Sequence, residues 1–122
     1  MARKILVVED DLLNRMFYHE VLQNRGFEVA MVSDGADVLD EVHRFEPDLI
    51  TMDIQLPHIS GLRLIRKLHR DEVTRAIPVL AITAFAGKGE EARIREAGAK
   101  GYLSKPVTID KLLAEVDSLF AP

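Results

Sequence analysis

The chain has 122 residues, of which 48% are hydrophobic and 30% charged, the length and composition of one ordinary globular domain. A net charge of −4 gives no basic surface for nucleic acid, and the absence of cysteine excludes thiolate chemistry and suits a reducing cytoplasm. No segment reaches the roughly 20 apolar residues of a membrane span, and the apolar run at 5–8 is too short for a signal peptide. We therefore expect a single cytoplasmic domain over residues 1–122, without membrane insertion and without an output domain.

Short apolar segments alternate along the chain with longer segments whose apolar residues recur at helical spacing. The short segments are residues 4–8, 27–32, 49–52, 78–82 and 100–103. Runs of this length predict buried strands, and Glu28 indicates that the second strand lies at an edge. Because strands alternate with helices, we predict an α/β fold in which a five-stranded parallel sheet carries helices on both faces.

Five helices are predicted between and after the strands. Their apolar faces comprise Leu13, Met16, Phe17 and Val21; Val38, Leu39, Val42 and Phe45; Leu64, Ile65 and Leu68; Ala92, Ile94 and Ala97; and Ile109, Leu112, Leu113, Val116, Leu119 and Phe120. Gly26 and Gly98 are predicted to end the first and fourth helices, and Thr108 to cap the last one. The fourth helix, residues 90–97, has the weakest apolar face.

Polar side chains follow most of the predicted strands. They are Glu9, Asp10 and Asp11 after the first strand, Asp53 after the third, Thr83 after the fourth and Lys105 after the fifth. The carboxyl ends of parallel strands share one edge of the sheet, where ligands bind. Taken singly, Asp11 and Thr83 fit an ordinary capping or turn role better than a functional one.

The carboxylates of Glu9, Asp10 and Asp53 would repel one another at this edge unless a cation relieved the repulsion. Oxygen ligands of this kind favour Mg²⁺ together with a phosphate group. Lys105 is a suitable phosphate ligand, and Thr83 can donate a hydrogen bond to a phosphoryl oxygen. The remaining requirement is a nucleophile, and Asp53 can accept a phosphoryl group as an acyl phosphate.

These residues stand in motifs that resemble the receiver domain of two-component response regulators. The motifs are Val7-Val8-Glu9-Asp10-Asp11, Met52-Asp53-Ile54-Gln55-Leu56-Pro57 through Gly61, Thr83-Ala84 and Tyr102-Leu103-Ser104-Lys105-Pro106. The resemblance covers essentially the whole chain and implies a flavodoxin-like (βα)5 fold with strand order 2-1-3-4-5. Residues 52–62, 81–86 and 91–98 are most similar to stand-alone receivers of division control, which implies a role in cell-cycle or polarity control.

The resemblance also implies a role for each site residue. Asp53 is expected to accept a phosphoryl group from a phosphohistidine of a histidine kinase or histidine phosphotransfer protein. Mg²⁺ is expected to bind directly to Asp10, Asp53 and the backbone carbonyl of Gln55, and through water to Glu9. Lys105 would contact the phosphoryl group, and its peptide bond to Pro106 is usually cis in the family. Such a protein assists its own phosphorylation and autodephosphorylation but is not otherwise an enzyme.

Thr83 and Tyr102 correspond to the switch pair of the family, while Gln55 and Phe85 stand at positions that tune dephosphorylation. The fourth helix has few apolar anchors and is entered through Gly87 and Gly89, so we expect low local stability there. Phosphorylation would then shift this helix. The partner-binding face would comprise the fourth helix, fifth strand and fifth helix, on a protein that we expect to be a monomer. Phe85 fits either the core or an exposed partner contact, and we favour the contact.

Other functions compete with this interpretation. A phosphatase of the haloacid dehalogenase type also uses an Asp nucleophile, but it requires a second carboxylate two residues later, where this chain has Gln55. A flavin-binding module would need a phosphate loop in place of the carboxylates after the first strand. The chain could also be the receiver fragment of a hybrid histidine kinase, or a degenerate receiver that acts as a constitutive adaptor.

Overall fold

The computed structural model describes residues 2–122, which form five strands and five α-helices in alternation. The elements are β1 Lys4–Val8, α1 Leu12–Asn24, β2 Glu28–Val32, α2 Val38–Phe45, β3 Leu49–Asp53, α3 Gly61–Arg70, β4 Val79–Thr83, α4 Glu90–Ala97, β5 Gly101–Ser104 and α5 Ile109–Phe120. A short 3₁₀ turn, Gly35–Asp37, precedes α2. None of the helices in this described range is long and apolar enough to cross a bilayer.

The sheet is parallel throughout and its strand order is β2-β1-β3-β4-β5, as predicted. Every residue of β3 and β4 is buried, whereas β2 and β5 at the edges are partly exposed. The chain leaves β1 for β2 on one side and returns to β3 on the other. This change of direction opens a crevice at the carboxyl ends of β1 and β3, where ligands bind in open α/β sheets.

Side chains alternate between two cores along each strand. In β1, Leu6 and Val8 face a core built with α2, α3 and α4, while Ile5 and Val7 face a core built with α1 and α5. The same alternation occurs in β3 and β4, because successive residues of a strand point to opposite faces. The prediction of helices on both faces is therefore confirmed.

The predicted apolar face of α1 was wrong in part. Tyr18 and Leu22 are the buried residues of this helix, whereas Leu13 and Met16 are 75% and 55% exposed. Because a helix turns by about 100° per residue, Met16 lies on nearly the opposite side from Tyr18. The spacing of the apolar residues was helical, but the period did not show which of them face the sheet.

Most of the predicted helix ends were correct. Asp11 and Thr108 cap α1 and α5 by accepting hydrogen bonds from the backbone N–H groups of Asn14 and Lys111. Gly26 adopts a φ of 102°, in the left-handed region that favours glycine. Ile109 was expected on the apolar face of α5, but it is the first residue of that helix and is 51% exposed.

Candidate functional site

The carboxyl ends of the two central strands bring two buried carboxylates together. Glu9 follows β1 and is 1% exposed, and Asp53 is the last residue of β3 and is 2% exposed. Their strands are neighbours, with Val8 paired to Met52. A backbone hydrogen bond from the Glu9 N–H to the carbonyl of Val32 continues the ladder beyond the end of β1. The sheet therefore fixes the backbone on both sides of the site.

Asp10 adds a third, solvent-exposed carboxylate to this pair. One oxygen each of Glu9, Asp10 and Asp53 lies within 4.8 Å of the others. Burial raises the pKa of Glu9 to about 7, and the charge of Asp53 contributes to the increase, although the Asp11 N–H bound to Glu9 opposes it. The carboxylates repel one another, and their oxygens are the ligand type that a hard divalent cation prefers.

Lys105 faces both buried carboxylates from the loop after β5. Its Nζ lies 3.1 Å from Glu9 Oε1 and 3.4 Å from Asp53 Oδ2. Burial alone would lower the pKa of the Lys105 ammonium, but the hydrogen bond that it donates to Glu9 and the charge of Asp53 raise it. The peptide bond between Lys105 and Pro106 is cis, as the resemblance implied. The ammonium is therefore held in its charged form over the nucleophile candidate.

Gln55 connects Asp53, at the end of β3, with the turn that follows β4. Its backbone N–H donates to Asp53 Oδ1 at 3.0 Å. Its side-chain Nε2 donates to Thr83 Oγ1 at 2.8 Å, and its Oε1 accepts from the backbone N–H of Ala84 at 2.7 Å. Sequence reasoning assigned a role to the Gln55 backbone carbonyl and missed this bridge. The sequence offered no signal for this bridge, because nothing local sets the direction of the Gln55 side chain.

Thr83 lies at the end of β4 and is fully buried. Its hydroxyl accepts hydrogen bonds from Gln55 and from the backbone N–H of Phe85, the latter at 3.1 Å, and donates to the carbonyl of Phe85 at 3.2 Å. The Thr83 side chain therefore ties the turn that leaves β4. The side chain of Phe85 itself is 66% exposed, as predicted.

Tyr102 is half-buried on β5, opposite Ala81 in the neighbouring strand. Thr83 stands two positions further along β4, so both side chains lie on the same face of the sheet. Burial raises the pKa of the Tyr102 phenol, and the charges of Glu91 and Glu90 raise it further. The ring lines a shallow groove of about 570 Å³ beneath the entry to α4. The structure thus places Tyr102 between the end of β4 and α4.

Two further residues lie beside the site: Tyr18, which was not singled out from the sequence, and Gly61, which was named there only as the end of a motif. Tyr18 of α1 is buried beside a cavity of about 590 Å³ that Ala84 and Lys105 also line. Gly61, the first residue of α3, packs against the backbone of Asp53 so closely that a methyl group there would overlap the Asp53 carbonyl oxygen. Its own N–H donates to the carbonyl of Ile54 at 3.0 Å.

The response regulator receiver domain family matches residues 5–117 of the chain. The polar-differentiation response regulator DivK of Brucella ovis is 41% identical over 118 residues, which are 97% of this chain and 96% of that protein. DivK of Brucella anthropi is 40% identical with the same coverage.

Solved structures give the same result. A signal receiver domain from Bermanella marisrubri superposes with a TM-score of 0.89 at 29% identity, covering 99% of this chain and 100% of the other. The receiver domain of a sensor histidine kinase from Pseudomonas aeruginosa superposes with a TM-score of 0.87 at 30% identity, covering 97% of each chain. That crystal structure has a magnesium ion coordinated in its active-site cleft.

These similarities decide between the functions that the strand-end Asp left open. They extend over nearly the whole chain and involve proteins described as regulators or receiver domains, and they give no support to an Asp-nucleophile phosphatase. The fold, the strand order and the three carboxylates at the sheet edge agree with them. The chain belongs to the response regulator receiver domain family.

Proposed function

We propose that this protein is a single-domain response regulator that accepts a phosphoryl group on Asp53 and signals through a phosphorylation-dependent protein interaction. The observation that carries the proposal is the position of Asp53, which is buried at the end of a central strand. The Lys105 ammonium lies against its Oδ2, and the backbone N–H of Gln55 donates to its Oδ1. A carboxylate is buried at such a place only when its surroundings compensate the cost. Here they compensate it with groups suited to phosphoryl transfer.

The donor would be a phosphohistidine on a histidine kinase or histidine phosphotransfer protein. An oxygen of Asp53 attacks the phosphorus atom, a P–O bond forms and the P–N bond breaks, with its electron pair remaining on the imidazole nitrogen. The product is an acyl phosphate on Asp53 and a histidine that takes up a proton from solvent. Lys105 balances charge on the phosphoryl oxygens, which is the main requirement of a transfer of this kind.

Mg²⁺ would be held by Asp10 and Asp53 directly, by the backbone carbonyl of Gln55, and by Glu9 through water. When bound, the ion neutralises charge on the carboxylates and on the transferring phosphoryl group. The spacing of the three carboxylates supports this assignment. So does the magnesium ion in the related Pseudomonas aeruginosa receiver.

The signal would leave through Thr83, Tyr102 and α4. The phosphoryl group draws the Thr83 hydroxyl toward Asp53, Tyr102 turns inward, and α4 shifts with the loop before it. The weak anchorage of α4, which buries Ile94 and Ala97, supports its role as the moving element. The downstream protein would bind the face formed by α4, β5 and α5, with no contact to nucleic acid or membrane.

The relatives named for polar differentiation support a role in cell-cycle, division or polarity control. In that setting the protein would be a cytoplasmic monomer, and residues 1–122 would form one receiver domain. Its chemistry would be limited to its own phosphorylation and autodephosphorylation.

Phosphotransfer profiling tests the proposal. Purified histidine kinases labelled with ³²P are mixed for short times with wild-type protein, Asp53→Asn and the matched control Asp40→Asn, which removes an exposed carboxylate on α2. We expect rapid labelling of the wild type and the control and none of Asp53→Asn, with a label that hydroxylamine releases. Equal labelling of Asp53→Asn would overturn the assignment.

A further inference from the structure

The Gln55 side chain forms hydrogen bonds with Thr83, a residue of the proposed switch, and with its neighbour Ala84. Its carboxamide binds the Thr83 hydroxyl and the Ala84 N–H together, at 2.8 and 2.7 Å. The backbone of the same residue binds Asp53 at 3.0 Å. One residue therefore connects the proposed phospho-acceptor with the turn that has to respond to it.

The hydroxyl of Thr83 has no hydrogen-bonding capacity left. A hydroxyl has one donor hydrogen and accepts two hydrogen bonds. Thr83 accepts from Gln55 and from the N–H of Phe85, and it donates to the carbonyl of Phe85. It cannot donate to a phosphoryl oxygen on Asp53 until its hydrogen leaves the Phe85 carbonyl, and the hydrogen bond accepted from Gln55 Nε2 helps to hold it in that orientation.

A phosphoryl group on Asp53 only accepts hydrogen bonds, so it would compete with the Phe85 carbonyl for the Thr83 hydroxyl hydrogen and with Gln55 Oε1 for the Ala84 N–H. It offers three acceptor oxygens that carry charge, and hydrogen bonds to charged acceptors are stronger than those to a neutral amide. The Gln55 side chain is half-buried, so its carboxamide can be released to water without leaving a buried polar group unpaired.

We propose that the Gln55 carboxamide is a latch in the unphosphorylated protein: its Nε2 holds the Thr83 hydroxyl turned toward the Phe85 carbonyl, and its Oε1 occupies the Ala84 N–H. Phosphorylation of Asp53 displaces this latch. Gln55 is thus a positioning residue. This inference rests on the proposed phosphorylation of Asp53. When the latch opens, the backbone of Phe85 loses its hydrogen bonds to the Thr83 hydroxyl. The change then reaches the side chain of Phe85, which is exposed to solvent.

The test uses beryllofluoride, a phosphoryl mimic, at saturating Mg²⁺. Gln55→Met keeps the length of the side chain and removes both its donor and its acceptor, and Gln23→Met is the matched control at an exposed position of α1. Because beryllofluoride no longer has to displace the latch, we expect Gln55→Met to bind it about 3- to 10-fold more tightly than wild type, an effect of one to two net hydrogen bonds. The control should bind as wild type does.

Amide NMR of the free variants adds a signature that a general loss of packing would not give. In Gln55→Met, the Thr83, Ala84 and Phe85 resonances should move part of the way toward their beryllofluoride-bound positions. Unchanged or weaker beryllofluoride affinity in Gln55→Met, or resonances that move in an unrelated direction, would overturn the latch. Binding of beryllofluoride by Asp53→Asn with wild-type affinity would instead overturn the proposed phospho-acceptor.

A measurement on the wild type does not depend on the folding of any variant. The side-chain NH₂ resonances of Gln55 should be shifted in the free protein by the bond to Thr83, and should move to the values of a solvated amide when beryllofluoride saturates the site. Gln55 side-chain resonances that stay unchanged at saturation would show that the carboxamide is not displaced, and the latch would be wrong.

Discussion

The acidic rim, formed by Glu9, Asp53 and Lys105, and the segment after β4 lie on the same edge of the sheet but are held very differently. The rim carboxylates are at most 2% exposed and follow the two central strands. Residues 84–89 are all exposed, and the helix that follows them buries Ile94 and Ala97. Charge stabilisation requires groups that are already in place, whereas a response requires a segment of low local stability. The fold places these two requirements side by side.

The largest effect expected from testing this contrast is the loss of hydrogen-exchange protection of α4 in Ile94→Ala. Truncation of a fully buried Ile costs about 2–4 kcal/mol of packing free energy. If α4 is held as weakly as the contrast implies, it unfolds locally while the rest of the domain stays folded. The loss in global stability then cannot exceed the free energy of that local unfolding. Amide hydrogen exchange should show residues 90–97 unprotected while the strands remain protected.

The matched variant for this comparison is Leu112→Ala in α5, which removes an equally buried side chain on the other face of the sheet. We expect it to lower the global free energy of unfolding by about 2–4 kcal/mol, with protection reduced in the strands as well. Equal losses of strand protection in the two variants would contradict a weakly held α4.

A second prediction concerns the rim and pH. The pKa of Glu9 is about 7 in the folded protein, against 4.5 as its ordinary value. Between these values the folded state binds more protons than the unfolded state, so stability decreases as pH rises through this window and is flat above it. In the absence of Mg²⁺, we expect Glu9 to make the free energy of unfolding about 1–3 kcal/mol lower at pH 8 than at pH 5, as measured by urea denaturation.

The variant Glu9→Gln isolates this effect because glutamine cannot titrate. Its free energy of unfolding should lose most of its dependence on pH, which is the slope measured in the wild type. Mg²⁺ should also flatten the slope for the wild type, since a bound cation favours the ionised carboxylate. A slope that is the same in Glu9→Gln and wild type would show that other groups cause it.

The smallest effect is expected at the surface of α4. Arg95 pairs with Glu91 at 2.8 Å, four residues apart on the helix, and both side chains are largely exposed. Such a pair contributes a few tenths of a kcal/mol at most. Glu91→Gln should therefore change the denaturant midpoint very little, and a loss above about 1 kcal/mol would mean that surface charges rather than Ile94 hold α4.

Apolar runs and turn residues were sufficient to predict the strands, because runs as short as Leu49 to Met52 alternate with longer segments of helical period, the pattern of a buried parallel sheet. The apolar face of α1 was predicted less well. Leu13 and Met16 fit a helical period, but the side of the helix that meets the sheet depends on packing with α5 and the strands.

The site also combines contacts that the sequence predicts with one contact that depends on packing in the folded chain. Glu9, Asp53 and Lys105 were predicted to meet because strand ends share an edge, a property of topology. The bridge from Gln55 to Thr83 and Ala84 depends on the direction of one flexible side chain across the gap between two loops. No local pattern determines that direction, so the bridge became visible only in the folded structure.

The close packing of Gly61 has a consequence for anyone who reads function from substitutions. This position carries no chemical group, yet any added carbon would push against the carbonyl oxygen of Asp53 and move the nucleophile with it. In a mutational scan scored by signalling, Gly61→Ala would rank with the loss of the carboxylate itself. A damaging substitution there would report a displaced backbone, and not a missing reactive side chain.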